Sequence, residues 1–317
     1  MQPVILDTPA ALRRESERWR AAGLSVGLVP TMGALHAGHR SLLHRARVEC
    51  DRVVASIFVN PTQFGAGEDL DRYPRTLDAD LAMLAEERID AVLLPSTAAV
   101  YPAGFATTVR VGGSAVAGHE AASRPTHFDG VAVVVTKLLV AARADRAYFG
   151  QKDAQQCAVV TRLAADLDTG TQVVVCPTVR DADGLALSSR NAYLSPAQRA
   201  QALAVPAGLA AAARRFAAGE RDAARLGAAV RERLALAADL RPEYVDVVDG
   251  ASFAPVAAPA RGSKIVVAAK IGGVRLIDTL TLGVDEPPAT PRGALDTTDA
   301  HGLEPGVAER SRPCTVP

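Results

Sequence analysis

Cysteine is scarce. The four residues, Cys50, Cys157, Cys176 and Cys314, are scattered, with no CxxC pair and no zinc-ligand spacing. That speaks against a disulfide framework and against a structural zinc site, and it suits reduced thiols in a cytosol. Charge of one sign is also missing, since 35 Lys and Arg balance 35 Asp and Glu. Aromatics make up only 4% of the chain. Neutral charge and sparse aromatics argue against a broad nucleic-acid or membrane surface. The longest apolar run, VAVVVTKLLVAA, is interrupted by Lys137 and is too short to span a bilayer. The N-terminus, MQPVILDTPAALRRESERWR, lacks the apolar core of a signal peptide. A cytoplasmic protein is expected. Neither a P-loop GxxxxGK[ST] nor a GxGxxG followed by a suitable acid is present, so two familiar phosphate cradles are excluded.

What is present is an Ala/Val/Leu-rich chain of 317 residues, long enough for about two domains. Short apolar runs at 25–31, 52–60 and 90–96 read as buried strands, and helical periodicity fills 39–50 and 76–88. Helical patterns at 130–144 and 153–167 flank a strand end at 145–150, and 171–179 is another strand. This alternation predicts an α/β fold, a Rossmann-like doubly wound parallel sheet. Beyond about residue 180 come Ala-rich helices and then strands at 244–250 and 263–282, a smaller α+β domain. The expected division is 1–180, 181–283 as a lid, and a disordered tail at 284–317 rich in Pro, Gly and charge.

Four polar clusters end strand-like segments, where open α/β sheets bind ligands. In PTMGALHAGH, His36 and His39 stand three apart where a strand gives way to a helix, with Gly38 between them. Imidazoles there can donate hydrogen bonds, or add charge if protonated, to a phosphorus centre under attack. Gly38 offers no side chain to block a phosphate or ribose. AYFGQKDAQQ supplies Lys152 as a point charge. Its Asp153 reads as a ribose ligand or a helix cap, and Gln155 and Gln156 as uncharged recognition groups. PTVRDADGLALSSRN sets two hydroxyls and a guanidinium, Ser188, Ser189 and Arg190, after an Asp183-Gly184 turn. In FVNPTQF, Asn60 and Gln63 follow a strand; Asn60 also reads as an Asx turn around Pro61. His127, in RPTHFDG, belongs to another candidate site loop, and Asp78 and Asp80 would either approach a magnesium ion or stand on a solvated helix face.

Together with DLDRYPRTLDAD, these motifs run in order through a chain that resembles the pantoate–β-alanine ligase (pantothenate synthetase) family from about residue 4 to 282. HAGH resembles the HxGH signature of the wider nucleotidyltransferase superfamily. The resemblance implies a ligase of pantothenate biosynthesis that uses ATP with Mg2+, passes through pantoyl adenylate and releases AMP and pyrophosphate. It implies an ATP site at Met32, Gly33, Ala34, Leu35, His36, Ala37, Gly38 and His39, at Gly150, Gln151, Lys152 and Asp153, at Val179, and at Leu187, Ser188, Ser189 and Arg190. The catalytic role falls on His39, with His36 and Lys152 beside it. Gln63, Gln156 and Asn60 correspond to pantoate contacts, and Gln63 also lies near β-alanine. Leu187 departs from a methionine common in the family, a mild change. The resemblance also implies a homodimer and small-molecule partners only; no residue is assigned as a metal ligand. Against it stand a nucleotidyltransferase that activates without ligating, an RNA-binding relative of tRNA synthetases, and a non-catalytic sensor. The Asn60, Gln63 and Gln156 set favours a small hydroxy acid, and every polar motif residue is intact.

Overall fold

The computed structural model describes residues 2–65 and 67–289. The first part of the chain runs β1 (Val4–Leu6), α1 (Pro9–Ala21), β2 (Val26–Thr31), α2 (Ala37–Glu49), β3 (Arg52–Ile57), α3 (Leu77–Glu86) and β4 (Ala91–Leu93). Short helices α4 (Thr97–Val100) and α5 (His119–Ser123) precede α6 (His127–Ala142), β5 (Arg146–Gly150), α7 (Ala154–Asp166) and β6 (Gln172–Cys176). The six strands pair in parallel in the order β1-β4-β3-β2-β5-β6. Chain order reverses between β2 and β5. Their carboxyl ends therefore open the crevice in which such sheets bind ligands.

Strand alternation decides the layers, because successive side chains point to opposite faces. Val26, Leu28, Val54, Ala91 and Leu93 pack on one side with α1, α6 and α7. Val29, Val53, Ala55 and Val92 pack on the other with Leu42, Leu43 and Ala46 of α2 and Leu84 of α3. The apolar runs and helical periods thus correspond to the doubly wound sheet expected. β1 and α1 were not anticipated. Helix α1 hides its buried Leu12, Ser16 and Trp19 stripe among charged residues; Thr8 caps it, accepting from the Ala11 N–H at 3.2 Å.

The chain continues through α8 (Pro196–Ala202), α9 (Ala204–Ala217) and α10 (Ala223–Leu234) to β7 (Arg241–Val248), β8 (Lys264–Ile271) and β9 (Val274–Thr281). The strands form a separate antiparallel sheet, β7-β8-β9. Gly272, at φ +56°, turns β8 into β9 with Gly273. One face of this sheet, with Val245, Val247, Ile265 and Val267, packs on Leu209, Phe216, Val230 and Leu234 of the helices. The other, through Val248 and Val266, packs with Phe253 on Ala154 at the start of α7.

Polar contacts complete the junction with the first sheet. Glu120 accepts the Tyr244 hydroxyl at 2.6 Å and pairs with Arg275 through both carboxylate oxygens. Arg180 forks onto buried Asp278 at 2.6 and 2.9 Å. Disorder was expected from Val284, but Asp285 accepts from the Gln151 side chain and, at 2.7 Å, from the Thr281 N–H. The rest of that expected tail, 290–317, lies outside the described residues.

Candidate active site

Strand β2 leaves the sheet through two consecutive residues at positive φ, Gly33 at +81° and Ala34 at +50°. The chain then enters α2 with His36 as its N-cap. His36 Nδ1 accepts from the Gly38 N–H at 3.1 Å, and His39 Nδ1 accepts from the His36 N–H at 3.4 Å. This reciprocal cap leaves the proton of each neutral ring on Nε2. The rings lie 4.1 Å apart, centroid to centroid. Gly38 has a reason that spacing alone did not reveal. A Cβ there would sit 2.8 Å from His36 Cε1 and 2.9 Å from His36 Nδ1, so glycine makes room for the capping ring itself.

Both imidazoles are neutral at pH 7. Burial, and then the charge of Lys152, lower the His36 pKa to about 4. Burial, then His36 and Lys152, lower that of His39 to about 3. Of the two roles open from sequence, hydrogen-bond donor and added charge, a neutral ring suits the first. The sign for stability follows. Unfolded histidines bind protons below about pH 6.5 that these folded ones refuse, so their stabilisation is complete above that pH and declines as pH falls toward 4 and 3. Between pH 7 and 5, the urea midpoint of His39→Gln should therefore fall less than that of the unmodified chain. Equal falls would contradict the assignment.

Across the switch point, β5 ends at Gly150 and a single 3-10 turn, Gln151–Asp153, precedes α7. Lys152 Nζ lies 3.5 Å from Asp153 Oδ2, and the Lys152 carbonyl accepts the Thr279 hydroxyl at 3.2 Å. Gln151 is buried, and its side chain donates to Asp285. Gln155 is likewise engaged, accepting from the Glu120 N–H at 2.8 Å and donating to the Ala115 carbonyl at 3.1 Å. Its neighbour Gln156 lines a cavity.

That cavity, about 170 Å³, is bounded by Met32, His39, Gln63 and Gln156 and by an apolar wall that includes Val131, Val134 and Phe149. Asn60 also borders it, yet its amide is committed internally. Its Oδ1 accepts from the Thr62 N–H and hydroxyl and from the Tyr101 hydroxyl, and its Nδ2 donates to Gln63 Oε1 at 3.1 Å and to the Gly130 carbonyl. The Asx-turn alternative therefore describes Asn60, which holds Gln63 in place. His127 Nδ1 and Arg124 meet the Gln63 carbonyl at 2.9 and 3.0 Å. A Cβ on Gly130 would lie 2.3 Å from the Thr62 carbonyl oxygen, so this glycine lets α6 approach the turn. An isolated Gly in the apolar helical run was the signal available for it.

The third cluster follows a hairpin in which the Leu187 N–H donates to the Val179 carbonyl at 3.0 Å. Ser188 caps a 3-10 turn, accepting from the Arg190 N–H. Ser188 and Arg190 line a larger cleft of about 650 Å³ with Lys152, Asp153 and Gln156. Arg190 is bound through two 2.8 Å hydrogen bonds to Asp69, a partner not anticipated from sequence. Asp80 is neither a metal ligand nor on a solvated face. Only 2% exposed, it accepts the N–H groups of Ala34 and Leu35 at 2.9 and 2.8 Å; Asp78 is exposed. No helix among the described residues is long and apolar enough to cross a membrane.

A doubly wound sheet with a capped histidine pair, a lysine and a hydroxyl–guanidinium loop around its switch point defines an enzyme of the nucleotide-using α/β class. The pantoate-beta-alanine ligase family model matches residues 4–281, and the chain belongs to that family. It is 52% identical over 275 residues to a pantothenate synthetase of Dinoroseobacter shibae, covering 86% of this chain and 97% of that one. A pantothenate synthetase of Acidobacterium capsulatum is 51% identical, with 86% and 90% covered. Among solved structures, the pantothenate synthetase of Thermus thermophilus superposes with a TM-score of 0.82 at 44% identity, covering 88% of this chain and 99% of that chain. A pantoate-beta-alanine ligase from Francisella tularensis, complexed with beta-gamma ATP and beta-alanine, gives 0.71 at 31% identity, with 88% and 97% covered.

Proposed function

We propose that this chain condenses pantoate with β-alanine in two steps at the β2–β5 switch point. In the first, a pantoate carboxylate oxygen attacks the α-phosphorus of ATP. The bond to the bridging oxygen breaks and pyrophosphate leaves. In the second, the β-alanine amine attacks the acyl carbon, the bond to AMP breaks and a proton is released, giving pantothenate. A carboxylate with a pKa of about 3.5 is already ionised, so the first step needs alignment and charge stabilisation rather than a base.

The observation that carries this reading is the shared cavity: His39, Gln63 and Gln156 face one small pocket that has both a polar side and a valine-lined wall. Its valines suit the methyl groups of pantoate, and the two amides suit its hydroxyls and carboxylate. His39 and His36 donate Nε2–H to phosphate oxygens, and Lys152 adds a point charge. Leu187 lies beside Gly38, which supports reading Ser188–Arg190 as contacts to the same phosphates. Val179 borders the adenine through its backbone.

Magnesium enters as part of the nucleotide substrate. Residues 1–180 hold both substrates, and 181–283 close over the phosphates once ATP draws Arg190 from Asp69. The same reading places the enzyme in the cytoplasm as a homodimer.

The test is rapid-quench measurement of pyrophosphate release from ATP and magnesium, with and without pantoate, before β-alanine is added. A pantoate-dependent burst, then AMP and pantothenate on adding β-alanine, is expected. Release that ignores pantoate, or none from folded protein that binds ATP, sinks the reading. In the same assay, Gln63→Ala and Gln156→Ala should raise the pantoate KM about tenfold or more, because each leaves a buried polar group of the acid without its partner. A changed ATP affinity with normal pantoate affinity would contradict their placement.

A further inference from the structure

The turn between β2 and α2 is an anion-binding concavity. Gly33 and Ala34, both at positive φ, direct the N–H groups of Ala34 and Leu35 to one point. Successive amides in such a turn form the kind of nest that elsewhere receives a phosphate. Here the chain supplies its own anion. Asp80 Oδ2 accepts from Ala34 and Oδ1 from Leu35, and the Thr76 hydroxyl donates to Oδ1 at 3.1 Å. The fit is close on every side: a Cβ at Gly33 would meet Asp80 Oδ2 and Ile57 Cγ2 at 3.0 Å each. The carboxylate is 2% exposed, so no substrate phosphate can share this nest.

The next residue after the nest is His36. We infer that Asp80 is a positioning residue for the adenylation step. It holds the strained turn from 33 to 35 so that the His36–His39 reciprocal cap forms and both rings present Nε2–H to the phosphates. This role rests on the ligase reading for its kinetic consequence but not for its structural one. An Ala at φ +50° is a conformation that L-residues adopt rarely, and it persists only where surrounding contacts over-determine it. The two hydrogen bonds that Asp80 accepts from Ala34 and Leu35 are such contacts. Asparagine at position 80 keeps the shape but turns an NH2 toward one of two N–H donors. One donor is then left unsatisfied in a buried turn.

Two readouts decide the matter, on the full chain. The first is the nitrogen chemical shifts of the imidazoles at pH 7. In the unmodified protein His36 and His39 should both show the Nε2–H tautomer, and in Asp80→Asn both should move toward tautomeric averaging. The second is single-turnover pyrophosphate release in a cycle of Asp80→Asn, His39→Ala and the double variant. Asp80→Asn should lower the rate about tenfold or more with the pantoate KM unchanged, and the loss it adds in the double variant should be smaller than the loss it causes alone, since part of its effect runs through His39 and the rest through His36. Thr76→Val, which removes one hydrogen bond to Asp80, should give a smaller loss of the same kind and serves if Asp80→Asn does not fold. Unaltered imidazole shifts in the folded variants, or rate losses that multiply in the double variant, would overturn the inference. Absence of a pantoate-dependent burst in the unmodified protein would instead defeat the ligase reading, while the imidazole shifts still decide what Asp80 does.

Discussion

Replacing His39 with alanine should slow pantoate-dependent pyrophosphate release roughly a hundredfold or more, the scale found when a single preorganised donor to a developing oxyanion is removed. The fold should survive, because α2 keeps its buried Leu42, Leu43 and Ala46. The expectation rests on a neutral donor. His39 has its pKa lowered to about 3, first by burial, and its Nδ1 accepts from the backbone of His36, so Nε2 carries the proton. The rate of the first step should show no titration near pH 6.5 from this residue. The KM for pantoate should change less than kcat, since donation to phosphate strengthens as charge builds in the transition state. Unchanged single-turnover rates in His39→Ala would refute the role. A loss confined to pantoate affinity would move His39 from the phosphates to the acid pocket.

Replacing Arg180 with alanine should cost about 3–5 kcal/mol of stability, the range for breaking a buried pair from one side. Asp278 is 2% exposed, and Arg180 supplies two hydrogen bonds to its two oxygens. Removing the guanidinium leaves a carboxylate in the interior with the Thr279 N–H as its remaining hydrogen-bond partner there. Urea denaturation checks the magnitude. The double replacement Arg180→Met with Asp278→Leu should recover much of the loss, because it removes the stranded charge as well. No recovery would mean that the pair's geometry, rather than its charge, holds β9 to the hairpin. The pair sits at the base of the 180–186 turn. Its loss should therefore also raise the KM for ATP through the loop that carries Ser188 to Arg190. A stability loss below about 1 kcal/mol, the value of an exposed pair, would contradict the burial argument.

The legible parts of this protein are those with a local physical cause. Strands 26–31 and 52–57 appear as short apolar runs because the middle of the parallel sheet is covered on both faces, whereas the edge strand 172–176 is apolar in sequence but only partly buried. The His36 cap, the Asp183–Gly184 turn and the Ser195 cap of α8 use neighbours within three residues. The Ala-rich stretch from 195 to 220 reads as one long helical run but divides at Leu203. Pro206 was the available signal, since a proline fits the first turn of a helix and not its interior. Asp80 was misread because its helix looks solvent-facing from its own charges. Nothing within that helix reveals that the turn after β2 fills the space beside it.

The chain's own order and chemistry settle the doubly wound class, the run of motifs and the residue types at each strand end. Each depends on period, cap or turn chemistry over a few residues. Folding alone decides which of those groups remain available to a substrate. Gln156 lines a cavity while Gln155 braces Glu120; Gln63 and Asn60 both border the pocket, but the Asn60 amide is spent on internal hydrogen bonds. Arg190 rests on Asp69, 121 residues away, and Asp80 meets the turn 46 residues before it. Such pairings form only when separate layers pack and water is excluded. A buried polar group must then find a partner across space, and sequence distance has no bearing on which one is near.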